Sequence, residues 1–301
     1  MKMKRRKLLT TMGAAGVASI IGCNVKPENE VTSFNPELAL EGFSAKDLKG
    51  NINHSACRWC YSKIPLEELV ESAKAIGLKS IELLNPDEWD IALNKGLTCA
   101  VSNGSPLGIT KGWNDPSLHE QLTKDLSAII PLAAEKGIPQ VIVFAGNRNG
   151  MDDQVGLENC AKGLEPIVKL AEKHGVGIVM ELLNSKIDHA DYMCDHTAWG
   201  VDLAKKIGSS NFKLLYDIYH MQIMEGDVIR TIKENIDYIS HFHTGGVPGR
   251  KEINQTQELF YPAIMKAIKE TGFKGFVAQE FIPTRMNPLT SLKEGVKTCD
   301  V

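Results

Sequence analysis

Basic charge is what a nucleic-acid binder shows in surplus, and this chain has none to spare: 34 Lys and Arg stand against 37 Asp and Glu, a formal net charge of -3. That balance argues against DNA or RNA as a partner. Cysteine is also thin, with seven residues at positions 23, 57, 60, 99, 160, 194 and 299 of a 301-residue chain. So few and so scattered, they do not make a disulfide scaffold. No GxGxxG fingerprint and no P-loop follows the first strand-like run, which disfavours a doubly wound nucleotide-binding sheet. Nor does the weakly apolar stretch at 8–21 reach the ~20 residues that cross a bilayer.

What is present begins with an export signal. Lys2, Lys4, Arg5, Arg6 and Lys7 precede that apolar stretch, which is rich in Ala, Gly and Thr and ends at Gly22 and Cys23. The paired Arg5 and Arg6 look like a twin-arginine signal, and Ile20, Ile21, Gly22 and Cys23 resemble a lipoprotein cleavage box with imperfect isoleucines. The expected organisation is an export signal at 1–23, a polar tether at 24–49 and a single catalytic domain at 50–301. The expected location is the periplasm, or a membrane surface reached only through a lipid on Cys23.

Beyond the tether, short apolar runs alternate with segments of helical period. The expected strands are 51–57, 79–84, 97–102, 140–145, 177–183, 212–217, 238–243 and 275–281, separated by helices near 65–76, 117–136, 155–174, 196–207, 226–235 and 259–271. Strands alternating with helices give a parallel sheet, and eight such units in about 250 residues fit a (β/α)8 TIM barrel. In a barrel the chemistry gathers at the carboxyl ends of the strands. Those ends carry His54, Glu82, Asn103, Asn147 with Arg148, Glu181 with Asn184, Asp217 with His220, His241 with His243, and Glu280. His241 and His243 are two apart, so a strand turns both imidazoles to one face. Gly245, Gly246, Pro248 and Gly249 then break the strand into a loop that delivers Arg250.

Two glutamates, one aspartate and one histidine on four successive strand ends form an O3N donor set. Such a set suits Mn2+, Mg2+ or Co2+ better than Zn2+. A carboxylate in an apolar strand is costly unless paired or metal-bound, which gives the pattern its weight; salt bridges across the barrel mouth are the alternative. From about Asn51 onward these motifs resemble the xylose isomerase-like TIM barrels of the sugar-phosphate isomerase/epimerase superfamily, most closely the hydroxypyruvate isomerase group. The resemblance implies metal ligands at Glu181, Asp217, His243 and Glu280, proton transfer by Glu181 and Glu280, and substrate binding by His220 and Arg250. Gly112, Trp113, Asn114, Asp115 and Pro116, and Gly146, Asn147 and Arg148, are similar too, placing Trp113 and Arg148 beside the substrate. One departure counts against 3-epimerase activity: where those enzymes carry a further Glu, this chain has Ile187, with Asp188 adjacent.

The residues themselves allow a mechanism. A divalent ion chelated by an α-hydroxycarbonyl would acidify the intervening C–H, Glu181 would remove the proton, and Glu280 would return it to the neighbouring carbon. The expected activity is a metal-dependent isomerase of a small hydroxy-keto acid or sugar. Alternatives are an exported epimerase or keto-sugar lyase using the same site, or a sugar-binding lipoprotein without turnover. A phosphodiesterase of the AP-endonuclease kind would need more histidines and a basic groove, and neither is visible. Cys57 and Cys60 form a lone CxxC, read as packing before redox, while His54 and Glu82 are supporting candidates and Trp59, Trp113 and Trp199 candidate pocket walls. No oligomeric state follows from the sequence.

Overall fold

In the computed structural model, residues 42–301 are described. The expected export signal, Cys23 and most of the expected tether lie outside the described residues. Residues 45–47 make a single 3-10 turn capped by Ser44, and the backbone N–H of Lys49 donates to the Asp300 carboxylate at 2.9 Å.

Seven strands form one parallel sheet: β1 (Asn53–Cys57), β2 (Ser80–Glu82), β3 (Gln140–Val143), β4 (Gly177–Glu181), β5 (Phe212–Asp217), β6 (Ile239–Thr244) and β7 (Phe276–Gln279). Their order is β2-β1-β7-β6-β5-β4-β3, so the eighth place lies between β2 and β3. Residues 98–102 fill it through isolated parallel bridges, Thr98 to Ser80 and Ser102 to both Leu84 and Val141. The ring is closed, but the strand expected at 97–102 is only a bridging segment. Two local features break its ladder: the Ala100 N–H donates to the Ser80 hydroxyl at 2.8 Å, and Leu83 turns left-handed at φ 56°.

The helices are α1 (Leu66–Ile76), α2 (Trp89–Leu93), α3 (His119–Lys136), α4 (Asp153–His174), α5 (Thr197–Ile207), α6 (Ile218–Met224), α7 (Val228–Asn235), α8 (Tyr261–Glu270) and α9 (Pro288–Cys299). Three of these were not expected. α2 and α6 are too short to show a period, whereas α9 carries a start signal, with Pro288 in the first turn and the Asn287 side chain accepting from the Leu289 N–H at 3.0 Å. Inside the ring, Val101, Ile142, Val179 and Leu215 pack together fully buried, each adding about 2 kcal/mol by removal from water. This apolar plug fixes the strands beneath the rim.

Candidate metal centre

Strand register brings the polar ends together. Asp217 pairs with His243 across β5 and β6, His243 pairs with Ala278 across β6 and β7, and Glu280 follows two residues beyond. Glu181 closes β4 next to them. One ligand atom from each of Glu181, Asp217, His243 and Glu280 lies within 4.8 Å of all the others, and all four residues are buried. His243 Nδ1 is 3.1 Å from Glu181 Oε1 and 2.8 Å from Glu280 Oε2. Asp217 is also the N-cap of α6: its Oδ1 accepts from the N–H groups of Tyr219 at 2.8 Å and His220 at 3.3 Å. That holds its other oxygen toward the centre.

Arg250 reaches in from the loop after β6. Its Nη2 donates to Glu280 Oε2 at 2.5 Å and to Asp217 Oδ2 at 3.3 Å, and the guanidinium lies 5.1 Å from the Trp59 ring centroid and 5.4 Å from that of Tyr219. Trp59 Nε1 donates to the other oxygen of Glu280 at 2.8 Å. Burial pushes the Glu280 carboxyl up, but Arg250 and His243 overrule it and hold it well below the usual range. Glu181 goes the other way, raised by burial and by the charge of Glu280. Burial, with Arg250 next, also drives the His220 imidazole well below its ordinary value.

Three buried carboxylates outweigh one guanidinium and one imidazole, and a divalent cation is what this hard donor set fits. Glu181, Asp217, His243 and Glu280 are the side chains placed to hold one.

The two histidines of β6 divide. Only His243 meets the four-residue cluster; His241 sits 5.2 Å away, ring to ring, and its Nε2 is 2.8 Å from Glu82 Oε1. The same Glu82 oxygen is 2.9 Å from His243 Nε2. Burial would raise the Glu82 carboxyl, yet the two imidazoles bring it down to about 2. Cys57 Sγ lies 3.7 Å from His243 Nε2, and both Cys57 and Cys60 are free thiols pushed up by burial, as a packing role requires.

Other expected site residues are placed differently. Arg148 spends its guanidinium on Asp153, on Asp195 and on the carbonyls of Tyr192 and Met193, clamping the loop after β3 instead of facing the centre. Trp113 is 1% exposed, its ring tilted against His119 at 5.8 Å between centroids. Ile187 points outward, while Asp188 beside it accepts from Asn184 and from Tyr219. His54 is buried with no hydrogen bond on either nitrogen, its Nε2 4.0 Å from Asp300 Oδ1, and Trp199 donates to the Asp153 carbonyl at 3.0 Å. Tyr219 as a wall for Arg250 and the Trp59 hydrogen bond carry no sequence signal, since each joins the ends of neighbouring strands that lie far apart in the chain.

A closed parallel ring with an acidic O3N cluster at its carboxyl rim defines a TIM-barrel protein with a candidate metal centre. The chain belongs to the xylose isomerase-like TIM barrel family, whose model matches residues 53–299. Among curated relatives it is similar to the putative hydroxypyruvate isomerase of Homo sapiens, at 25% identity covering 75% of this chain and 77% of that protein. It is likewise similar to the 2-oxo-tetronate isomerase of Cupriavidus necator, at 28% identity covering 70% and 85%. Among solved structures, one titled AP endonuclease, family 2, from Brucella melitensis shares the fold with a TM-score of 0.72 at 22% identity, covering 79% and 96%.

Proposed function

We propose that this chain is a metal-dependent isomerase of a small hydroxy-keto acid or sugar, hydroxypyruvate isomerase-like in its chemistry. The observation that carries the reading is the convergence of Glu181, Asp217, His243 and Glu280 on one point, with two glutamates of opposite electrostatic character. The names of relatives from Homo sapiens and Cupriavidus necator support the same reaction class. A divalent cation held there, Mn2+, Mg2+ or Co2+ in preference to Zn2+, supplies the chelation that acidifies the C–H beside a carbonyl.

The chain's own groups do the rest. Glu181, at the end of β4 beside the other donors, removes the C–H proton. Glu280, released by Arg250, takes a proton from solvent and delivers it to the neighbouring carbon; Glu181 then gives its proton back to solvent, and the substrate hydroxyl's proton passes to the former carbonyl oxygen, so the protons balance. A substrate carboxylate or hydroxyl accepting from Arg250 provides the exchange, since the guanidinium fork suits a carboxylate. His220 donates to the oxygen on which charge develops. The exposed Ile187, where 3-epimerases carry a further Glu, favours isomerisation over 3-epimerisation. The amino-terminal pattern adds a proposed periplasmic or lipid-anchored location, which cell fractionation with and without Cys23→Ala would test.

Purified protein loaded with Mn2+ and incubated in D2O with hydroxypyruvate and with a 2-oxo-tetronate is expected to place solvent deuterium on carbon of the product. Glu181→Gln should lower turnover by at least about a hundredfold. Product free of deuterium would overturn the proton-transfer mechanism.

A further inference from the structure

We propose that Asn184 is the positioning residue that fixes the ring hydrogen of His220, leaving Nδ1 bare and Nε2 carrying the N–H that faces the centre. The inference rests on the isomerase reading only for what that donor is used for; the state of the ring can be read without any turnover.

Hydrogen-bond accounting makes the case. Asn184 Oδ1 accepts from the backbone N–H groups of Ile187 at 3.0 Å and Asp188 at 2.9 Å. Two backbone donors identify that end of the amide as oxygen, which settles the orientation a side-chain amide otherwise leaves ambiguous. Nδ2 therefore points the other way, 2.7 Å from Asp188 Oδ2 and 2.6 Å from His220 Nδ1. An amide NH2 has two hydrogens, and here each has one acceptor. A hydrogen on His220 Nδ1 would set N–H against N–H at that distance, so Nδ1 offers its lone pair and the hydrogen sits on Nε2.

Nothing lets the ring escape this arrangement. It is fully buried, flanked edge-on by Tyr219 at 5.0 Å and His189 at 5.3 Å between ring centroids, and Tyr219 Oη donates to Asp188 at 2.8 Å, locking the far end of the chain. At the near end, Nε2 makes no hydrogen bond and lies 3.5 Å from Asp217 Oδ2. A buried N–H without a partner, beside the candidate metal ligands, is a donor reserved for a substrate oxygen. In use it shares its hydrogen with the developing oxyanion and keeps it, so no net transfer is required. The same account explains Asp188, whose carboxylate holds Asn184 and Tyr219.

The wild-type ring is read first, by nitrogen NMR on protein labelled at histidine with His220→Gln to assign the signal. The expected spectrum has Nε2 protonated and Nδ1 unprotonated; a hydrogen on Nδ1 would overturn the proposal. The second reading exchanges the pair, Asn184→Asp with Asp188→Asn. Asp at 184 still accepts the two backbone N–H groups, the new amide at 188 donates to it, and His220 Nδ1 now faces an acceptor. This variant should keep its melting temperature, invert the tautomer and lose about 10- to 100-fold in kcat with little change in KM, the size expected when a supporting partner is lost. Asp188→Asn alone keeps the Asn184 amide on Nδ1 and should keep both the wild-type tautomer and most of kcat. An inverted ring with unchanged kcat would sink the proposal, as would an exchange that leaves the ring as it was. Protein that shows the expected ring but turns over no hydroxy-keto acid or sugar would count against the isomerase reading and leave the tautomer assignment standing.

Discussion

A guanidinium whose N–H groups are all spent cannot recognise a substrate, and Arg148 is in that state, tied to Asp153, Asp195, Tyr192 and Met193. Arg148→Ala is therefore expected to cost about 2 kcal/mol of stability while leaving KM nearly unchanged, which denaturant titration beside steady-state kinetics would check. Arg250 presents the opposite case, with Nε unpartnered and Nη2 resting on Glu280 and Asp217. Glu82 gives a prediction in pH. Its carboxyl is held at about 2 in the fold against an ordinary 4.5, so the stability it contributes is complete above 4.5 and is lost as pH falls toward 2. Urea unfolding of metal-free protein should show that loss, and Glu82→Gln should flatten it while costing ~3 kcal/mol at neutral pH, because two buried imidazoles lose their anion. An acid limb identical in variant and wild type would refute the assignment.

Among the elements, the segment that begins at Gly112 is a backbone zipper along the end of β3. The N–H groups of Trp113 and Asn114 donate to the carbonyls of Phe144 at 3.2 Å and Ala145 at 2.8 Å. A Cβ on Gly112 would stand 2.3 Å from Ala145 C and from Gly146 N, against backbone that cannot step aside. Gly112→Ala is thus expected to cost about 3 kcal/mol or to prevent soluble expression, measurable by thermal melting of whatever protein is recovered. The run that resembles a substrate motif in sequence packs in this structure along the end of β3. Short α6 shows the reverse economy, with Asp217 ending β5, capping the helix and aiming its free oxygen at the centre. Cap and candidate ligand are one residue, which is why a helix of seven residues follows directly on a strand with no loop between them.

For the whole molecule, closure of the ring gathers four strand ends into one charged site above an apolar plug. A divalent cation would offset the repulsion among these buried carboxylates, so metal and fold should be linked. Chelator-treated protein is expected to melt lower, and Mn2+ at a hundred times its dissociation constant should add about 2.7 kcal/mol, an effect that Glu280→Gln should largely abolish. Calorimetric melting with and without metal would show it. Much of this architecture was legible in the chain because barrel geometry is periodic: alternation placed the strands, and the residue at each carboxyl end had to face the rim. That ground put Glu181, Asp217 and Glu280 at the rim beside both His241 and His243, the donor types pointed to a hard divalent ion, and the family resemblance singled out His243. What the linear order could not contain was register and loop crossing. Only the folded ring shows that His241 turns to Glu82, that Arg148 is tied to Asp153 and Asp195, that Trp59 binds Glu280, and that Asn184 meets the ring of His220. Periodicity is a property of neighbours along the chain, whereas hydrogen bonds at the rim join residues tens to hundreds of positions apart, and their geometry exists only once the strands have closed.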